Sequence, residues 1–215
     1  MPREIDALDP AELERRLADR LRRTLPGVGA QRTMAPELAY GRHSAPAPVL
    51  ARRAAVIAPL VRRPEGWSLV TTLRTDNLGT HAGQVSLPGG SVDPGESTSA
   101  AALREYEEEL GAPSTELRLV GELSPVFLFV SNFAISPFVA VAPGVPVFRP
   151  SAHEVAEVVE LPIRSLEEQA SRTRMRIDRR GLVFDAPAYV VGGRLIWGAT
   201  AVMIAELTAM LREIV

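Results

Sequence analysis

One stretch leaves little choice of local structure. Residues 89–96 read Gly-Gly-Ser-Val-Asp-Pro-Gly-Glu, and the chain soon continues as Ala102-Leu103-Arg104-Glu105-Tyr106-Glu107-Glu108-Glu109-Leu110-Gly111. A glycine-rich loop thus leads into a predicted helix, which Ser97 or Thr98 can cap and Gly111 can end. At about 100° per residue, Glu108 lies about 60° to one side of Glu105 and Glu109 about 40° to the other, so the three share a face. Leu103, Tyr106 and Leu110 recur on a different face, which can pack on a core. Like charges three and four apart destabilise a bare helix by about 0.2–0.5 kcal/mol per pair. At 5–6 Å and an intermediate dielectric each pair repels by about 3 kcal/mol before screening. A glutamate run alone is more often a solvated helix surface. Behind a glycine loop, this one calls for a positive partner, and a divalent cation is the economical choice. All-oxygen ligation suits a hard ion such as Mg²⁺ or Mn²⁺.

The spacing extends further. Gly90, Glu96, Arg104-Glu105, Glu108-Glu109 and Gly111-Ala112 fall within 23 consecutive positions, and the pattern resembles the Nudix box. Tyr106 and Ala112 depart from it mildly, at packing positions. The resemblance implies an α/β fold, a Nudix-type α/β/α sandwich with a mixed sheet, and metal-dependent hydrolysis of a diphosphate linkage. It also implies Glu105, Glu108 and Glu109 as metal ligands and catalytic residues, with the Gly89 carbonyl as a further ligand. Glycine at 89 and 90 lets the backbone approach an ion and a phosphate without a Cβ in the way. Glu96 and Arg104 read as an ion pair holding the loop to the helix, with direct phosphate contact by Arg104 as the less favoured alternative.

Upstream stands Thr72-Leu73-Arg74-Thr75-Asp76-Asn77-Leu78-Gly79-Thr80-His81-Ala82-Gly83-Gln84-Val85-Ser86-Leu87-Pro88. This is similar to the extra motif of the coenzyme A pyrophosphatase branch of the Nudix hydrolases. Arg74, Leu78, His81, Gly83 and Pro88-Gly89-Gly90 match it. Thr75 replaces serine, Leu87 replaces phenylalanine, and Gly79 stands where the motif often has arginine. Near the other end, Ile196-Trp197-Gly198-Ala199-Thr200-Ala201 looks like the segment this branch carries before its last helix. The implied substrate is coenzyme A or a derivative, cleaved to 3′,5′-ADP and 4′-phosphopantetheine. Gly79 argues for a rival substrate such as ADP-ribose, a dinucleotide or another nucleoside diphosphate derivative. A non-catalytic ligand sensor on the same fold is the third reading, and the intact carboxylate set argues against it.

Coenzyme A needs metals for its diphosphate, guanidinium for its 3′-phosphate and an apolar groove for its arm. The chain has 24 basic residues, every one an arginine, so there is no lysine to serve as general base. Arg74 is the candidate cation for the substrate, against a surface residue or a partner for Asp76. Gly90 and His81 join it as candidate substrate-binding residues. Phe133 could stack on adenine, although a lone aromatic is more often core. Glu154 is the candidate additional carboxylate and general base, against an ordinary residue at a strand edge. His81 and His153 could titrate near neutrality.

The totals are those of a globular chain of 215 residues with net charge −2. They show no nucleic-acid footprint. The absence of cysteine excludes disulfides and thiolate chemistry and fits a cytoplasmic setting. No apolar run reaches transmembrane length and the N-terminus lacks a signal-peptide core, so no membrane partner is expected.

Two regions are expected: an N-terminal extension over 1–50 and a Nudix hydrolase domain over 51–215. Residues 1–25 read as one amphipathic helix, with Asp9-Pro10 as a cap and first-turn pair and Leu13, Leu17, Leu21 and Leu25 on one face. It would dock on the core or on a second copy in a homodimer. Residues 26–50 read as a linker or wrapping loop. Strands are predicted near 54–61, 67–73, 84–87, 117–123, 135–141 and 154–161, then a short helix near 164–170. Three further strand segments and a Gly192-Gly193 hairpin lead to an amphipathic helix near 200–213.

Overall fold

In the computed structural model, residues 4–39, 46–75, 83–179 and 181–215 are described. The apolar runs form a mixed sheet. Its longest strands are β1 (Arg52–Arg63), β2 (Gly66–Arg74) and β7 (Phe133–Val141). Short strands β3 (Val85–Ser86), β4 (Gly89–Ser91), β5 (Arg118–Glu122) and β6 (Val126–Leu128) and the longer β8 (Val155–Pro162) complete it. The order is β3-β2-β1-β7-β5, with β4 also paired to β1, β6 to β7 and β8 to β2. Only β1 and β7 run parallel among these pairs.

Strand periodicity divides the core. On β1, Ala55, Ile57 and Val61 face one side, while Ala54, Ala58 and Leu60 face the other. The first face is covered by α4 (Thr98–Leu110), which buries Ala101, Ala102, Tyr106 and Leu110 against it. The second is covered by α1 (Glu4–Ala7), α2 (Pro10–Leu21) and α6 (Gly198–Glu213). The result is an α/β/α sandwich with an N-terminal helical extension. The short helix α5 (Ile163–Glu167) and a three-stranded antiparallel sheet, β9 (Arg172–Arg179), β10 (Leu182–Val191) and β11 (Arg194–Trp197), back α6.

Four expectations change. Residues 1–25 make two helices, because Asp9 leaves helical geometry to accept the Glu12 amide at 2.9 Å and Pro10 starts a new helix. Within 26–50, α3 (Gly27–Gln31) and two single 3₁₀ turns fold onto the core, with Met34 buried. Strands β4 and β6 escape the periodicity argument, being three residues each. Helix α6 is buried on nearly every side from Thr200 to Leu211, since both sheets enclose it, so its pattern is not amphipathic.

The N-terminal segment is bonded to the sandwich at several points. Asp6 accepts the Trp67 amide at 3.1 Å, and the Trp67 indole donates to the Leu8 carbonyl at 3.2 Å. Arg20 pairs with Glu213 at 2.6 Å. Deeper, the buried Glu206 of α6 accepts from the Gly27 amide (3.0 Å), Gln31 Nε2 (2.8 Å), the Ser124 amide (3.3 Å) and Ser124 Oγ (2.7 Å).

Candidate active site

Helix α4 begins where Ser97 Oγ accepts the Ala100 amide at 3.1 Å, and it ends at Gly111 in the left-handed region, φ +62°. This frame sets the glutamates at graded depth. The Glu108 side chain is 57% exposed, Glu105 14% and Glu109 2%. Glu107 faces away and accepts the Ser114 amide at 2.7 Å.

The glycine loop meets the helix closely. Strand β4 holds Gly89 beside Val56 and Gly90 beside Ala55. A Cβ on Gly90 would lie 2.4 Å from Glu105 Oε1, so a larger residue there would push that carboxylate from its present position. Arg104 pins the loop from the helix side. Its Nε and Nη2 donate to Glu96 at 3.1 and 3.2 Å, and Nη2 also donates to the Ser91 carbonyl at 3.0 Å. The remaining Nη1 bridges Glu105 (2.8 Å) and Glu108 (3.0 Å). The positive partner required by the crowded glutamates is therefore a guanidinium on two of the three.

Glu109 has less. The only hydrogen bond to its carboxylate among the described residues comes from the Thr72 hydroxyl at 3.3 Å, while Arg74 Nη1 stands 3.9 Å away. The Glu109 pKa is raised to about 7, chiefly by burial, with Glu105 and Glu154 adding to the rise and Arg74 and Thr72 opposing it. Burial also raises Glu105, against the lowering effect of Arg104, with Glu108 and Glu154 adding repulsion.

Glu154 is exposed and close enough for its charge to act on both Glu105 and Glu109. Its loop is strapped at both ends. The Arg149 and Ser151 amides donate to the Leu110 and Glu109 carbonyls at 2.8 and 3.0 Å, taking up acceptors that a helix end leaves open. On the other side the Thr75 amide donates to the Glu154 carbonyl at 3.1 Å, and Thr75 Oγ1 donates to the His153 carbonyl at 3.1 Å. The β2–β8 register slips between Leu73 and Arg74, a local irregularity of the sort that re-aims side chains beside sites.

Glu105, Glu108, Glu109, Glu154, Arg74, Gly89 and Gly90 thus come together around one end of α4. His81 lies outside the described residues. Phe133 is not brought to the carboxylates: it packs on the face opposite α4, with the Arg52 guanidinium 4.0 Å from its ring centre. Thr72 and Thr75 enter the sequence reading only as motif positions, with no role at the site. The signal for Thr72 was present, since Thr72 and Arg74 are two apart on a strand and so share a face.

The donor set suits a hard dication. The side-chain donors are all carboxylates, one is buried with little to neutralise it, and the loop leaves a cradle against Glu105. The Arg104 guanidinium covers Glu105 and Glu108 here, and among the described residues no three acidic or imidazole side chains form a ready-made ligand cluster.

The NUDIX domain family model matches residues 51–183. The chain belongs to the Nudix family. The protein described as uncharacterized Nudix hydrolase NudL of Yersinia pestis (strain Pestoides F) is 36% identical over 157 residues, covering 73% of this chain and 78% of that one. The same protein in Yersinia pseudotuberculosis serotype O:1b matches equally. Among solved structures, the MutT protein from Methanosarcina mazei Go1 is similar at 18% identity with a TM-score of 0.50, covering 77% of this chain and 99% of that one, a likeness of fold. As a Nudix protein the chain is a hydrolase acting on pyrophosphate bonds, and the family's members generally use divalent metal ions. No helix among the described residues is long and apolar enough to cross a membrane.

Proposed function

We propose that this Nudix hydrolase cleaves the diphosphate of coenzyme A or a derivative, giving 3′,5′-ADP and 4′-phosphopantetheine, with residues 51–215 as the catalytic domain. The observation that carries the chemistry is Glu109: a carboxylate 2% exposed, with one neutral hydrogen bond, next to two further acids on the same helix. A merely structural buried acid would have its lone pairs filled. The substrate reading is supported by the motif residues Arg74, Gly83 and Pro88-Gly89-Gly90 and by the Ile196–Ala201 segment.

Glu105, Glu108, Glu109 and the Gly89 carbonyl would hold Mg²⁺ or Mn²⁺. Bound there, the metal supplies charge neutralisation at the phosphate oxygens and a more acidic water. The chain's own groups do the rest. Gly90 keeps space beside Glu105, Arg104 fixes loop to helix, and Arg74 supplies N–H donors to the substrate's phosphates. Glu154 stands on a strapped loop at the edge of the cluster, where it can take a proton from the attacking water.

A panel of coenzyme A, dephospho-coenzyme A, ADP-ribose and NADH, each with Mg²⁺ and Mn²⁺, tests the reading. Coenzyme A should be turned over with the highest kcat/KM. Gly79 favours one rival: if ADP-ribose or NADH leads the panel, the hydrolase stands and the coenzyme A assignment falls.

A further inference from the structure

Alternation along β2 sends Val70, Thr72 and Arg74 to the α4 face, where Val70 joins the core beneath that helix. Thr72 reaches one oxygen of Glu109 and Arg74 approaches the other. The two side chains therefore flank a single carboxylate. The Arg74 backbone is fixed on the opposite edge, its amide donating to the Gln84 carbonyl at 3.1 Å and its carbonyl accepting the Gly83 amide at 3.2 Å.

The Arg74 side chain is three-quarters buried, yet its guanidinium is poorly used among the described residues. At 3.9 Å its approach to Glu109 is an ion pair beyond hydrogen-bond length, and its buried Nε has no hydrogen-bond partner among the described residues. A guanidinium carries five N–H donors in a planar fork suited to phosphate oxygens. Arg104, by contrast, spends its donors on Glu96, Ser91, Glu105 and Glu108. Among the described residues, Arg74 is the cation at this centre with donors to spare.

We infer that Arg74 binds the scissile diphosphate itself, beside Glu109, and does not read the 3′-phosphate. The inference rests on reading the carboxylate cluster as the site of diphosphate hydrolysis. In that reaction a water oxygen bonds to one phosphorus while the bridging P–O bond breaks. The bonding pair stays on the departing phosphate oxygen, and the water's protons pass to a site carboxylate or to solvent. The Arg74 fork faces the oxygens on which that charge grows, where a fixed donor is worth most. Dephospho-coenzyme A then meets the same guanidinium as coenzyme A.

The test compares wild type, Arg74→Gln and Arg74→Lys on coenzyme A and dephospho-coenzyme A, with Mn²⁺ binding followed by the electron paramagnetic resonance of the free ion. Arg74→Gln should lower kcat/KM about 100-fold on both substrates, leaving their ratio unchanged. Arg74→Lys should recover part of the loss, as a point charge without the fork. Mn²⁺ binding should hold or tighten, since a neighbouring positive charge is gone. A loss confined to coenzyme A would make Arg74 the 3′-phosphate reader and overturn the inference. An equal loss accompanied by Mn²⁺ binding weakened in proportion would reduce Arg74 to a positioning partner of Glu109, and overturns it too. Calorimetric binding of inorganic pyrophosphate to the Mn²⁺-loaded protein gives a readout free of turnover, and Arg74→Gln should weaken it. If wild type hydrolyses no diphosphate yet binds pyrophosphate through Arg74, the hydrolase reading fails while the phosphate contact survives.

Discussion

Two glutamates lie buried on opposite faces of the same sheet, and they are treated differently. Glu206, fully buried, accepts four hydrogen bonds from Gly27, Gln31 and Ser124 and ties three parts of the chain together. The Glu109 carboxylate, 2% exposed, has one hydrogen bond among the described residues and a guanidinium at 3.9 Å. Removing a carboxylate from water is expensive unless hydrogen bonds replace the lost hydration. At Glu206 the fold supplies that replacement itself. At Glu109 the fold supplies much less of it among the described residues. Burial is common to both glutamates; the unfilled lone pairs are what set Glu109 apart and make it the candidate.

The largest effect expected from this contrast is on turnover. Glu109→Gln keeps an acceptor for Thr72 and removes the charge, so kcat should fall about 10²–10⁴-fold while the thermal midpoint of the metal-free protein holds or rises. Wild-type turnover by a folded Glu109→Gln would erase the distinction drawn here.

Next comes Glu206→Ala, which strands the buried donors of Gly27, Gln31 and Ser124. Urea unfolding should show a loss of about 3 kcal/mol, with kcat per folded molecule unchanged. A kcat that falls as far as in Glu109→Gln would put both faces in the reaction.

The pH dependence of stability is a third and smaller discriminator. In the metal-free fold Glu109 titrates near pH 7, above the ordinary carboxylate value of 4.5, so the native state holds this proton more tightly than the unfolded chain. The stabilisation that follows is complete below about 4.5 and disappears as pH rises through about 7. Glu96 and Glu107, held low by Arg104 and by Ser114 respectively, work in the other direction, and their contribution is lost as pH falls below the ordinary range. Melts of metal-free wild type and Glu109→Gln should therefore diverge between pH 5 and 8, with wild type losing ground at the alkaline end. Parallel curves over that interval would show that Glu109 carries no such burden.

Tyr106 offers the smallest and sharpest challenge. Its hydroxyl is buried without a hydrogen-bond partner among the described residues, and burial pushes its pKa up. Yet it sits on the packing face of α4, among Ala101, Ala102 and Leu110. Tyr106→Phe should raise stability by about 1 kcal/mol and leave kcat alone. A fall in kcat would give that hydroxyl a role no packing argument supplies.

Much of this was readable along the chain. The caps of α4, the three long strands and the Gly192-Gly193 turn follow from local rules, because capping, alternation and hairpin chemistry need only neighbours in sequence. The carboxylate face of α4 follows from helix geometry. What escaped depends on distant partners. Nothing local says that Thr72 would meet Glu109 across 37 positions, whereas the Arg104–Glu108 pair, four apart on one helix, lies within reach of local rules. The break at Leu8-Asp9 was signalled by Pro10, but the leucine repeat outweighed it. Phe133 read as a possible stacking residue because a sequence does not say which face of a sheet a loop-edge aromatic will take; here that face belongs to the N-terminal helices and α6.

The strap between α4 and the Glu154 loop has a practical side. Because the amides of Arg149 and Ser151 close the last turn of the helix, warming or mutation cannot fray that turn without also releasing the segment that carries Glu154. Slow deuterium uptake at those two amides would mean an assembled centre, and early uptake would announce its dismantling before any global melt is visible.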